Sequence, residues 1–268
     1  MFNVYSIENQ NFYLNDSLVS GIQNLTVSYG NNINTSLAIN SPSQNYYISQ
    51  PIVAEISFDY LLSDNDRFIF YTGSNYFNGK IEYGNKYFNF SSGYITNYSL
   101  NYVLGQYPKV SIRSLVFGEL GNITGLFNYK SKLLNNFNVG DNCYVNLNLQ
   151  ESDENRLEEF SLSIDVPRDG VYTIGNFLPE NVVIKYPIAV NLEFQFSMSN
   201  YNQEKVTNIF TGLTQENLNI TFLNYHNNAN LLNLNFSNLI NNQSQLNYSI
   251  DNDAKLKINL NTYILSGT

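Results

Sequence analysis

The sequence predicts an all-β protein made of two tandem β-sandwich or barrel domains related by internal duplication. Three observations predict it: hydropathy alternates with a period of two, Gly, Pro and Asn punctuate the alternating segments, and the second half repeats the segment order of the first. A chain of 268 residues suits two domains of ordinary size. Hydrophobic residues at 43% and aromatics at 15% supply enough apolar surface for two cores, despite the abundance of Asn. Tyr 22 and Phe 18 against Trp 0 and Met 2 favour pleated surfaces on which rings pack across strands.

Taken in order, Leu25, Val27 and Tyr29 alternate with Thr26 and Ser28. Val53, Ile56, Phe58 and Tyr60 follow Pro51, and Tyr98, Leu100 and Tyr102 alternate with polar partners. Val110, Ile112, Leu115 and Phe117 follow Pro108. Short strands without intervening amphipathic helices indicate a sandwich or barrel. The stretches Ser63 to Thr72 and Asn202 to Thr211 follow corresponding strands, and with Asp64 to Asp66 as N-caps each is expected to form a short flanking helix.

The repetition runs through both halves. Pro51-Ile52 and the alternating segment to Tyr60 match Pro187-Ile188 and the segment to Phe196. Upstream, Leu25 to Tyr29 parallels Phe160 to Ile164, and Asn11 to Asn15 parallels Asn142 to Asn146. Downstream, Phe70 to Gly73 parallels Ile209 to Gly212, Asn97 to Leu100 parallels Asn247 to Ile250, and Lys109 to Ile112 parallels Lys255 to Ile258. Copies of one domain should superpose with Pro51 on Pro187 and Tyr98 on Tyr248. The Gly121, Gly125 and Lys130-Ser131-Lys132 region separates them, giving a first domain over 1–125 and a second over 126–268.

Composition and spacing argue against the commoner chemistries. Thirteen basic residues stand against 22 acidic ones, for a formal charge of -9, and no Lys/Arg run could neutralise a row of phosphates. An acidic surface would let DNA pass without sticking. Cys143 is the only cysteine, which rules out an intrachain disulfide, and it reads as a packed strand residue. The only histidine, His226, sits among Asn and Tyr with no Gly-x-Ser-x-Gly elbow in the chain, and reads as a loop residue. Asp64-Asn65-Asp66 and Asp251-Asn252-Asp253 open like calcium loops but lack the later Gly and Glu, so turn chemistry accounts for them. Glu151, Asp153, Glu154, Glu158 and Glu159 form the one charge run, either a solvated loop or an acidic patch on an assembly surface or lumen. No catalytic, cofactor-binding or metal residue is expected, and neither an enzymatic activity nor a cofactor. Met1 to Ser6 has no basic or apolar leader character, and no stretch approaches a membrane helix, so a chain without membrane insertion is expected.

Ser92 to Leu100, Pro108 to Ile112 and Phe117 to Leu120, with Val166-Pro167-Arg168-Asp169, Leu178-Pro179 and Tyr186-Pro187-Ile188, resemble a pattern of phage virion structural proteins. The chain is similar to the tail-tube family, in which β-sandwich or barrel domains with a flanking helix stack in rings around a DNA channel. The resemblance implies a virion localisation, contacts with other virion proteins, and self-association into rings, with two-domain chains forming trimers of pseudo-sixfold symmetry. It equally fits a capsid-decoration, neck or adhesin-like module, for which the Tyr- and Asn-rich loops Gly73 to Lys80 and Tyr225 to Leu231 are the candidate binding segments.

Overall fold

The computed structural model describes residues 10–15, 17–30, 33–37, 44–48, 53–83, 86–121, 143–147, 157–198, 214–224, 229–249 and 252–265. The first half contains β1 (Gln10–Leu14), β2 (Ser17–Leu18), β3 (Ile22–Gly30), the hairpin β4 (Ile33–Leu37) and β5 (Gln44–Ile48), and β6 (Val53–Leu61). A 3-10 turn (Phe68–Thr72) leads to β7 (Phe77–Tyr83), β8 (Lys86–Val103), β9 (Lys109–Val116) and β10 (Leu120–Gly121). The second half contains β11 (Cys143–Leu147), β12 (Leu157–Asp165), the hairpin β13 (Arg168–Val171) and β14 (Asn181–Ile184), β15 (Ile188–Met198), β16 (Thr214–Asn224), β17 (Asn230–Ser249) and β18 (Asn252–Ile264). The all-β expectation is met. The flanking helix expected over Ser63 to Thr72 is a single 3-10 turn, and Asn202 to Thr211 lies outside the described residues.

Apart from the two hairpins, the strands among the described residues form one antiparallel 14-stranded sheet. In the first half the pairing order is β1-β7-β8-β9-β6-β3, and in the second it is β11-β16-β17-β18-β15-β12. Position by position along the chain, these are the same order. In each half the sheet folds over itself, because strands such as β6, β9, β12 and β15 bury alternate side chains and the apolar face must meet another. Phe12 of β1 lies 5.0 Å from Phe58 of β6, although three strands separate β1 from β6 in the sheet. In the second half Phe222 of β16 packs 5.7 Å from Phe160 of β12. Apolar burial on this scale is the main favourable term holding the layers together.

Register sharpens the correspondence. Leu25 faces Phe58, which faces Ile112, just as Phe160 faces Phe194, which faces Ile258. A β-bulge between Ile22 and Asn24 in β3 has its counterpart between Leu157 and Glu159 in β12. A second, in β8 between Ile95 and Asn97, has its counterpart in β17 between Asn241 and Gln243. Ile33 pairs with Ile48 at the base of the first hairpin, and Arg168 with Ile184 at the base of the second. The β6 and β15 ladders keep the phase that sets Pro51 at the level of Pro187, although Pro51 itself lies outside the described residues.

Two of the expected matches slip by four residues. Tyr98 faces Ile112, and the residue facing Ile258 is Ser244, so Tyr98 corresponds to Ser244, and Tyr248 corresponds to Tyr102. At the other edge Phe12 faces Ile81 and Leu147 faces Ile220, which places Asn11 at Asn146 rather than at Asn142. A four-residue slip keeps every side chain on its own face, so alternation alone could not expose it.

Both long strands bend at a left-handed residue. Ser92 in β8 and Asn238 in β17 each have φ 55° and occupy corresponding places, one residue before Gly93, which faces Phe77, and Leu239, which faces Gln215. The bend lets one half of β8 pair with β7 and the other with β9, in two layers. Left-handed backbone costs an ordinary L-residue about 1–2 kcal/mol, with Asn better tolerated. Val at Ser92 or Asn238 is therefore expected to lower unfolding free energy by about 1–2 kcal/mol relative to Gly at the same site. Urea titration of the four single variants checks this, and the penalty should appear in both halves.

Candidate assembly interface

The two halves meet strand to strand. After Gly93 the edge of β8 that had faced β7 is free, and β12 takes it from Asn97↔Asp165 to Val103↔Glu159. Backbone bonds close the ends of this ladder, from the Leu104 amide to the Glu158 carbonyl and from the Val166 amide to the Thr96 carbonyl, each 2.8 Å. Its inward residues are fully covered: Tyr98 and Leu100 at 0% exposure, Phe160 at 2% and Leu162 at 1%. Tyr102 meets Phe222 edge-on at 5.8 Å, so aromatic packing crosses from one half to the other.

Two buried polar residues reinforce the junction, Arg168 through its side chain and Asp66 through its backbone. Arg168, at the start of β13, is 6% exposed and donates through Nε to the Ile95 carbonyl at 2.7 Å. Its Nη2 donates to the Gly73 carbonyl and, at 3.2 Å, to that of Tyr71, satisfying acceptors left open where the 3-10 turn ends. The guanidinium lies 5.2 Å from the Tyr94 ring centroid, and burial pulls its pKa down to about 10, which leaves it charged at neutral pH.

Asp66, 2% exposed, is the second. Tyr60 and the Phe68 amide each donate to its Oδ1 at 2.7 Å, and Tyr98 donates to Oδ2. The Asp66 amide in turn donates to the Leu231 carbonyl of the second half at 2.9 Å. Burial raises the carboxyl above its ordinary range, opposed by the hydrogen bonds it accepts from Tyr98, Tyr60 and the backbone. Desolvation, then the neighbouring Asp66 charge, pushes the Tyr98 and Tyr60 hydroxyls well up, so both stay protonated donors.

The outer face of the junction is small and polar. Ser99, Asn101, Ser161, Ser163, Asn191, Asn259 and Asn261 line a shallow depression there. The bases around it are each paired: Lys109 with Asp59 at 2.8 Å, Lys255 with Glu158 at 2.9 Å, Arg113 with Glu55 and Lys257 with Glu193. Such exposed pairs add little stability, but they leave those cations committed. A separate apolar surface lies along the second hairpin and its loop, where Ile174 is fully exposed, Phe177 is 70% exposed, and Val171 and Leu178 stand nearby.

Several expectations need correction or relocation. Asp66 makes the expected local turn bond, accepting from the Phe68 amide at 2.7 Å, but it is also buried and held by two tyrosines, and the cap position of the 3-10 turn falls on Arg67 rather than within Asp64 to Asp66. Asp64 does make a local turn bond, accepting from the Asn65 amide at 2.8 Å. Glu158 and Glu159 belong to β12 and its bulge at the junction, while Glu151, Asp153 and Glu154 lie outside the described residues, as do His226 and Asp251. The backbone of Cys143 opens β11 and pairs with Asn224. In the loop from Gly73 to Lys80, Tyr76 is exposed but Phe77 is completely buried and already part of β7. Tyr225 to Asn228 of the other candidate loop lies outside the described residues. Among the described residues no group of three or more His, Cys, Asp and Glu side chains could hold a metal ion, and no helix is long and apolar enough to cross a membrane.

No family model and no curated protein matches the chain.

Asp66 gives the junction a pH dependence whose sign follows from its raised pKa. A group whose pKa is higher folded than unfolded contributes stability fully present below the unfolded value and lost as pH rises through the folded value. Wild type minus Asp66→Asn, in unfolding free energy from urea titrations between acid and neutral pH, should fall as pH rises through that window. A difference that climbs with pH would mean that ionised Asp66 stabilises the fold.

Proposed function

We propose that the chain is a virion structural protein of a phage, foremost a tail-tube subunit, built from two copies of one domain and acting by self-assembly into stacked rings around a DNA channel. The observation that carries this reading is that two halves of identical strand order, with two matching bulges and a matching left-handed residue, lie edge to edge in one sheet. On this reading the contact between the halves serves as the lateral contact of a ring, and three chains would present six similar domains, with every interface satisfied on closure. The outer face suits a channel wall, since Ser and Asn side chains and paired bases offer DNA little to grip. On this reading the protein acts in the particle without catalysis.

Capsid decoration, a neck position or an adhesin-like role is the second reading, and the apolar hairpin tip at Ile174 and Phe177 favours it, because exposed apolar clusters mark contact surfaces. In a tube the same tip would bear on the next ring.

Light scattering and electron microscopy of the purified protein are expected to show rings of three chains that stack into tubes. Ile174→Asp with Phe177→Asp is expected to abolish stacking and leave single rings with an unchanged circular dichroism spectrum. A protein that stays monomeric at high concentration and decorates empty capsids would overturn the tube in favour of the second reading.

A further inference from the structure

The internal junction uses one edge of each half, and among the described residues the opposite copies of those edges have no partner strand. Within the chain, β8 offers Asn97 to Val103 and β12 accepts with Glu159 to Asp165. The register that equates the halves carries the first edge onto Gln243 to Ser249 of β17 and the second onto Asn24 to Gly30 of β3. Among the described residues, β17 pairs on that side only up to Ile240, with β16, and β3 pairs only with β6. Side-chain burial reports the same vacancy. Phe160, Leu162 and Ile164 are at most 5% exposed, whereas their counterparts Leu25 and Val27 are half-buried and Tyr29 is 68% exposed. Leu246 is likewise half-buried where its counterpart Leu100 is fully covered.

We infer that Gln243 to Ser249 of one chain pairs antiparallel with Asn24 to Gly30 of a second copy, reproducing between chains the β8·β12 ladder found within each. The inference rests on the assembly reading and specifies its lateral contact. A second copy fits because the same pair of edges is already joined once in every chain, with seven residue pairs in register. Transfer of that register sets Leu25 opposite Tyr248, Val27 opposite Leu246 and Tyr29 opposite Ser244. It would satisfy two rows of backbone donors and acceptors and cover the half-exposed apolar residues of β3. The contact is head to tail, so it propagates until a ring closes.

The junction also fixes which pairs can be cross-linked. The bonds from Leu104 to Glu158 and from Val166 to Thr96 make Ser99 and Ser163 a non-hydrogen-bonded pair, the type whose side chains approach most closely. Their counterparts are Gln245 and Ser28. In a Cys143→Ser background, Ser99→Cys with Ser163→Cys should form an intrachain disulfide on mild oxidation and serves as the reference. Ser28→Cys with Gln245→Cys should form interchain disulfides, giving dimers and a closed ring on a non-reducing gel. Either change alone should give none, and Ser28→Cys with Asn247→Cys, two residues out of register, should give several-fold less. Assemblies by light scattering without the Ser28–Gln245 cross-link would overturn this edge pairing while leaving self-assembly standing. A chain that remains monomeric and uncross-linked, as when a segment of the same chain covers the edge, would overturn both.

Discussion

The β8·β12 ladder is the contact on which the remaining architecture depends. One strand, β8, serves the hairpin with β7, the hairpin with β9 and the contact with the second half, and it can do so only because it bends at Ser92. Without that bend the strand would run on beside β7, and its later edge would not face β12. The buried cluster consequently runs without interruption from Phe12 through Tyr98 and Phe160 to Leu260. The halves share a core rather than touching at their surfaces, and Arg168 and Asp66 secure the seam with hydrogen bonds that cross it.

Legibility in the sequence followed the strength of the local signal. The segments after Pro51 and Pro187 could be matched because each alternates without a break and carries apolar residues at every second position, so only one phase suits the core. Around Tyr98 the pattern Asn97-Tyr98 recurs as Asn101-Tyr102, and either copy can be laid on Asn247-Tyr248 without moving a side chain to the wrong face. Only the ladder with β18 distinguishes them. Asp66 was illegible for another reason. Its neighbours suggest a turn, while the groups that bury it, Tyr60, Tyr98 and Leu231, come from three strands and converge only in the folded state. The bulge that turns Glu158 toward Lys255 likewise leaves no mark in hydropathy.

The halves share a frame and differ in how they fill it. Tyr60 and Tyr98, the donors to Asp66, correspond to Phe196 and Ser244, and Arg168 corresponds to Ile33, so the polar reinforcement belongs to the internal seam. In the first half Gly79 and Gly93 make room for the ring of Phe90, and a Cβ on Gly79 would lie 2.0 Å from it. The second half has Leu218 and Leu239 at those places. Interior volume is exchanged between positions while strand order stays fixed, as close-packed cores allow.

The bond from the Asp66 amide to the Leu231 carbonyl bears on how the protein is made. A ribosome releases the first half long before Leu231 exists, so that amide and the free edge of β8 must wait for later strands of the same polypeptide. Until β12 emerges, Tyr98, Leu100 and Tyr102 stand beside an unpaired edge, open to capture by a matching strand of a neighbouring nascent chain. Spacing between ribosomes on one message, and the speed at which the second half follows the first, thus become determinants of whether each polypeptide closes its own seam or a neighbour's.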